Sequence, residues 1–248
     1  MQFGIHIPQL GRKAGPEAIR RGACQAEDLG YDHIWVNDHL AVPHDAPYPP
    51  TASFYEPLIT LTWAAAATSR VGLGTSVLLL PLRTPVHLAK ELATLDLLSG
   101  GRLILGTGVG WLEGEFDAMG VPFAGRGART EDIINILRAC WNEDPISYEP
   151  TVVTAKLEGI RALPQPGRKI PVWVGGHSRL ARRRAMALGD GWHGTRLSVE
   201  DSPAVVADLR AARGPDFAIS LRLFWDPFED DQDELKAMAE GYAKAGID

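Results

Sequence analysis

Between residues 71 and 111 the chain reads VGLGTSVLLLPLRTPVHLAKELATLDLLSGGRLILGTGVGW, and few folds accommodate such a stretch. Residues 71–80 form a nearly unbroken apolar, β-branched run, the pattern of a strand buried on both faces, as parallel sheets require. Pro81 ends the run. A helix follows with Thr84 as N-cap and Pro85 as its first residue, and Leu88, Leu92 and Leu95 recur on one face. Gly100 and Gly101 close that helix. A second apolar run over residues 102–107 ends in Gly106, Gly108 and Gly110, where the backbone can approach something flat or anionic. The unit is strand, helix, parallel strand.

The rest of the chain repeats that unit. Residues 2–7 read as a strand closed by Pro8, residues 15–29 as a helix with Pro16 near its start, and residues 31–36 as a second strand. A loop over residues 41–53 carries Pro43, Pro47, Pro49 and Pro50, which makes it a candidate lid without regular structure. A helix starts near Glu56 and Pro57, and residues 71–107 then supply strand three, helix three and strand four. Residues 112–170 are too long for one connection; they hold a helix at about 130–141 and then short alternating segments, 146–148 and 152–163, that read as a hairpin. Strands follow at 171–174, 191–195 and 217–225, each with a helix after it. The expected fold is α/β, a (β/α)8 TIM barrel with an insertion between strands four and five, in a single domain over residues 1–248. With 248 residues the length suits one such barrel of ~250 residues. Only seven strands are found, and Ile247 and Asp248 look like the start of an eighth. Strand eight is therefore expected to be missing or truncated, the chain being cut short or another segment filling the gap.

Composition removes several functional classes. A net charge of −6 gives no footprint for nucleic acid, and no apolar run approaches the ~20 residues a membrane span needs. Residues 1–7 lack the features of a secretion signal, and Cys24 and Cys140 sit far apart in helical patterns, so a cytoplasmic protein with reduced cysteines is expected. In barrels of this kind chemistry sits where strands run into the loops before helices. Those positions offer Gln9, Asp38 with His39, residues 76–80, 107–111, 175–178 and 193–195, and Phe224 with Trp225. No lysine ends a strand, as a Schiff-base aldolase would need, and no glutamate, as an isomerase base. His6 on strand one lacks a second histidine for a clustered metal site, so no metal is expected. Glycine, aromatics, hydroxyls and histidines remain. That lining suits a large flat cofactor with its own reactivity, with the protein supplying shape and orientation. An Asp-His pair at a strand end suits either a plain loop hydrogen bond or proton transfer, and Gly175, Gly176 and Ser178 open a helix, serving either a tight turn alone or, through exposed amides, an anionic phosphate. His177 and His193 read as solvated loop residues, and Arg182, Arg183 and Arg184 as mostly solvated surface.

Seven runs resemble one family in unbroken order: Ala-Glu-Asp-Leu-Gly-Tyr at 26–31, Asn-Asp-His at 37–39, Leu-Gly-Thr-Ser-Val at 73–77, Leu-Ala-Thr-Leu-Asp at 92–96, Gly-Arg-Leu at 101–103, Gly-Val-Gly-Trp at 108–111 and Pro-Val-Trp-Val-Gly-Gly at 171–176. They look like the bacterial luciferase-like superfamily, and most like its branch using the deazaflavin F420. The resemblance implies coenzyme F420 as cofactor, with FMN as the alternative. It implies a bulge in strand three with a non-prolyl cis peptide joining Ser76 to Val77 behind the cofactor ring, and His39, with Asp38 beside it, facing that ring as the catalytic pair. It implies that Val109, Gly110 and Trp111 pack along the ring or its side chain and that Gly175, Gly176 and Ser178 hold the cofactor phosphate. The expected function is an F420-dependent oxidoreductase passing hydride between the deazaflavin and an organic small molecule; an FMN-dependent monooxygenase and a non-catalytic flavin-binding relative are the alternatives. Helices two and three resemble the family's dimer face, so a homodimer is expected.

Overall fold

The computed structural model describes residues 1–47, 53–226 and 228–248. Pro49 and Pro50 of the proline loop lie outside the described residues. Two compact units are distinguished, Phe3–Ile170 and Met1–Gln2 with Pro171–Asp248.

In the first unit the elements are β1 (Gly4–His6), α1 (Pro16–Asp28), β2 (His33–Val36), α2 (Pro57–Ala65), β3 (Gly72–Thr75), β4 (Leu78–Leu79), a 3-10 turn (Leu80–Leu82), α3 (Pro85–Leu98), β5 (Leu103–Gly108), α4 (Glu113–Ala118) and α5 (Arg126–Asn142). The strands pair in parallel in the order β1, β2, β3, β5, with β4 also on β5. Strand alternation assigns the two faces. Ile34, Leu73, Leu103 and Leu105 are fully buried, as are the apolar sides of the helices, Ala23 of α1, Leu61 of α2 and Leu92 of α3. Trp35 points to the other face, and its indole occupies the space that side chains on neighbouring strands would need. A Cβ on Gly4 or Gly74 would lie 2.1 or 2.2 Å from the ring, and one on Gly106 would lie 1.9 Å from the Thr75 carbonyl oxygen. The glycines of this face therefore admit one large indole and one close strand approach.

Motif residues with no chemistry of their own hold this unit together. The Glu27 carboxylate at the end of α1 accepts from the main-chain N–H of Ser69, Arg70 and Val71, which fixes the entry to β3. The Arg102 guanidinium donates to the carbonyls of Ala65, Thr68, Val71 and Ser99, the first of them on the last residue of α2. Buried Asp96 accepts from Leu103 N–H and from Arg168.

Strand three, expected to be continuous over residues 71–80, is broken into β3 and β4. The bond between Ser76 and Val77 is a cis peptide, as the resemblance implied. The hairpin expected over 146–163 reduces to one antiparallel bridge, Ile146 to Ile160. Its second arm makes no ladder because Asp132 of α5 takes the N–H groups of Thr151, Val152 and Val153 instead. Helix α5 begins earlier than expected, directly after Gly125 in the left-handed region (φ 77°), and α4 was not anticipated.

The second unit contains β6 (Val172–Gly175), α6 (Arg179–Leu188), β7 (Gly191–Thr195), α7 (Ser202–Arg213), β8 (Ala218–Arg222) and α8 (Gln232–Ala245), with β6, β7 and β8 parallel in that order. Val172, Val174, Trp192, Ile219, Ala185 and Leu209 form its core. Strand β8 is shorter than the expected 217–225, and Phe224 lies exposed beyond it, under the Arg222 guanidinium. Among the described residues no strand follows β8, as expected for a missing or truncated strand eight. Asp248 meets Ile219 there: its N–H donates to the Ile219 carbonyl (3.0 Å) and its carboxylate accepts from Ile219 N–H (2.7 Å).

The glycine face gives a direct test. Gly106→Ala is expected to cost about 1–3 kcal/mol in urea unfolding, since Cβ meets backbone that cannot yield. Gly167→Ala, exposed and with its Cβ meeting only Leu97 at 3.9 Å, is expected to stay within about 0.5 kcal/mol.

Candidate active site

The end of β2 is the best-organised polar region of the first unit. Beyond Val36, whose carbonyl accepts Ser76 N–H at 2.8 Å, Asp38 and His39 diverge, as successive residues of extended chain do. The buried Asp38 carboxylate accepts from Leu79 N–H (2.8 Å) and from the Arg83 guanidinium (2.7 Å). Arg83 also donates to Glu56 (2.8 Å), whose second oxygen caps α2 through Ile59 N–H. Burial alone would loosen the proton on Arg83, but Asp38 and Glu56 outweigh it and hold the guanidinium charged above its ordinary value. One cation thus joins the end of β2, the start of α2 and the segment after the cis peptide.

His39 takes its carboxylate from elsewhere. Its Nδ1 lies 3.0 Å from Glu115 of α4, with both side chains buried. The imidazole meets Phe54 edge-on with ring centres 5.0 Å apart, and Trp111 edge-on at 6.4 Å. The expected pairing of Asp38 with His39 is thus replaced by His39 with Glu115 and Asp38 with Arg83. Neither Glu115 nor Arg83 was singled out from sequence. Glu115 sits in an acidic run that resembles a solvated helix face, and the one signal against that reading is the adjacent Phe116.

Ser76 is buried, Val77 half-buried. Gly108 is explained by Val77, whose side chain lies 2.4 Å from where a Cβ would stand, and Gly110 by the ring of Phe116 together with a φ of 77°. The close neighbours of Gly106, Gly108 and Gly110 thus include parts of the chain itself. Val109 and Gly110 are half-buried and Trp111 is half-exposed. The structure therefore brings His39, Phe54, Trp111 and Glu115 together, and ties Ser76 to the same strand end.

In the second unit Gly175 ends β6. Gly176 adopts a φ of 117°, which favours glycine, and Ser178 is the N-cap of α6, its hydroxyl accepting from Ala181 N–H at 3.1 Å. His177 is exposed. His193 is a correction: expected in a solvated loop, it is buried on β7, its Nδ1 2.9 Å from the Ser220 hydroxyl. Burial foremost, with the Arg222 charge adding to it, lowers its pKa to about 3. No group of three or more metal-ligating side chains is found among the described residues, and none of their helices is long and apolar enough to cross a membrane.

A model of the luciferase-like monooxygenase family matches residues 1–247. The chain belongs to that family. Among curated relatives of this luciferase-like protein is an F420-dependent glucose-6-phosphate dehydrogenase of Kineococcus radiotolerans, 34% identical over 194 residues, which cover 74% of this chain and 55% of the relative. A second protein of that name, from Amycolatopsis mediterranei, is 32% identical over 72% of this chain and 53% of its own length. The luciferase-like chain thus spans about half the length of these relatives. Among solved structures, an F420-dependent secondary alcohol dehydrogenase bound to an F420-acetone adduct superposes with a TM-score of 0.82 at 18% identity, covering 99% of this chain and 91% of that one. That likeness concerns the fold, and it places the luciferase-like chain in the expected α/β, TIM-barrel-like class.

Two measurements test the electrostatics described here. Arg83→Ala leaves the Asp38 carboxylate buried without its cation, and the expected loss in chemical unfolding is about 3–5 kcal/mol. For His193, the unfolded chain binds a proton below the ordinary value of 6.5 while the folded chain resists it down to about 3. Stability present above about 6.5 is therefore lost as pH falls through that window, by up to about 1.4 kcal/mol per pH unit. His193→Asn, which does not titrate, is expected to give a shallower fall of Tm with acid.

Proposed function

We propose that this chain is an F420-dependent oxidoreductase that passes hydride between the deazaflavin and an organic substrate, with His39 as proton donor or acceptor. The observation that carries the reading is the histidine at the end of β2, its ring fixed by a buried carboxylate and flanked by Phe54 and Trp111. The names of two relatives above 30% identity support F420 in preference to FMN.

The residues fit a planar redox group. Around the strand end the surfaces are aromatic and main-chain, and Gly108 leaves the space that Val77 fills beside the bulge. In this reading Ser76, Val77, Val109, Gly110 and Trp111 hold the ring system, and the group supplies the hydride chemistry when bound. Phe54 and Trp111 exclude water beside the imidazole. His39 delivers or removes the proton that must accompany hydride at a carbonyl or alcohol oxygen. Asp38 serves this proton transfer indirectly, by fixing the backbone from which His39 projects. The turn before α6 is proposed separately as an anion-binding turn, with Gly175, Gly176 and Ser178 presenting the first amides of that helix to a phosphate. A homodimer through α2 and α3 belongs to the same reading, supported by the exposed Ile59, Trp63 and Leu98.

Titration with F420 and with FMN tests the cofactor, and glucose 6-phosphate and secondary alcohols are the first substrates to try. Tight F420 binding and reduction are expected. His39→Ala is expected to keep F420 affinity within about threefold and to lose turnover by on the order of 10²–10⁴. Binding of FMN alone, with oxygen uptake, would instead make the protein a monooxygenase on the same scaffold. F420 binding with no turnover on any substrate would make it a non-catalytic relative.

A further inference from the structure

Helix α4 has only six residues, yet it contributes a glutamate that is fully buried, and the proton transfer proposed for His39 makes no direct use of it. Two main-chain donors and one ring nitrogen converge on that carboxylate. Leu40 N–H reaches Oε1 at 2.5 Å and Ala41 N–H reaches it at 3.3 Å, while Oε2 faces His39 Nδ1 at 3.0 Å. The two main-chain groups can only donate, so Oε1 is fixed as an acceptor. The helix that carries the carboxylate is itself held. Phe116 is buried with Leu79 and Leu82, and Leu40, Val77 and Phe123 pack against that cluster. Gly114 lies so near Pro43 that a Cβ there would come within 2.7 Å of the proline ring. The carboxylate therefore stands on a rigid base shared with the bulge and with the loop after β2.

We propose that Glu115 is the positioning residue for His39: its carboxylate keeps the neutral imidazole in the Nδ1–H form, which makes Nε2 the nitrogen that exchanges a proton with substrate. The proposal rests on the reading of His39 as the proton-transfer group. A histidine that is free to place its proton on either nitrogen serves as a base at Nε2 only part of the time. A carboxylate that can only accept removes the choice, and it also stabilises the imidazolium once Nε2 has taken a proton.

The test is the tautomer of His39, read by long-range ¹H–¹⁵N NMR on ¹⁵N-histidine-labelled full-length protein without cofactor, with His39→Asn assigning the signal. The wild type is expected to carry its proton on Nδ1. In Glu115→Gln the amide oxygen takes the Leu40 and Ala41 N–H groups, the NH₂ faces the ring, and the proton is expected on Nε2. Glu115→Asp is expected to restore the Nδ1–H form. A proton on Nε2 in the wild type overturns the proposal even if the Gln variant does not fold, and so does an unchanged Nδ1–H form in a folded Gln variant. With turnover in hand, Glu115→Gln is expected to lose kcat by on the order of 10²-fold or more with the KM for F420 unchanged, as an inverted tautomer does in triad hydrolases. A switched tautomer with undiminished kcat overturns the coupling of Glu115 to His39. If His39→Ala itself retains full turnover, the functional reading fails, and the NMR result distinguishes that failure from a failure of the positioning.

Discussion

The polar region at the end of β2 depends on one buried ion pair. Asp38 holds the Leu79 N–H and the Arg83 guanidinium, and Arg83 reaches on to Glu56 at the cap of α2. A buried charge is tolerated only when it is paired and its remaining lone pairs are satisfied, and here both carboxylate oxygens are used. The exit from β2, the segment after the cis peptide and the start of α2 are thereby held in one arrangement. His39 projects from the segment that this arrangement holds.

The two carboxylates around this strand end have different work. Asp38 faces a permanent cation and fixes backbone, while Glu115 faces a group that can change its charge. Only the second is placed to follow a proton, because Arg83 cannot give one up at any physiological pH. In the proposed reading the two acids thus divide structure from chemistry by the identity of what they touch.

Much of the architecture could be read from the chain. The apolar runs gave β5, β6 and β7 almost to the residue, and Pro16, Pro57 and Pro85 marked helix starts correctly, since a proline at the first turn sacrifices no hydrogen bond. Other features resisted a local reading. The break at Ser76 and Val77 lies inside an apolar run that periodicity reads as one strand, and only the family resemblance pointed to it. Pairing Asp38 with His39 overlooked alternation in extended chain: adjacent side chains leave in opposite directions, and each found a partner more than forty residues away. His193, next to Gly194 at the end of a short run, reads as a loop residue, whereas β7 is buried on both faces, Trp192 and His193 alike. Glu115 was concealed by Glu113 and Asp117, which remain exposed while the middle acid turns inward with Phe116.

The inner face of the first unit has a further consequence. Trp35 stands where Gly4 and Gly74 have no side chains, and Gly106 meets the carbonyl of Thr75. These three glycine positions offer no graded adjustment, because the smallest possible enlargement at any of them already collides. Variation in what such a protein accepts must then arise where side chains end in open space, in the loops that follow the strands, while the floor beneath them stays the same.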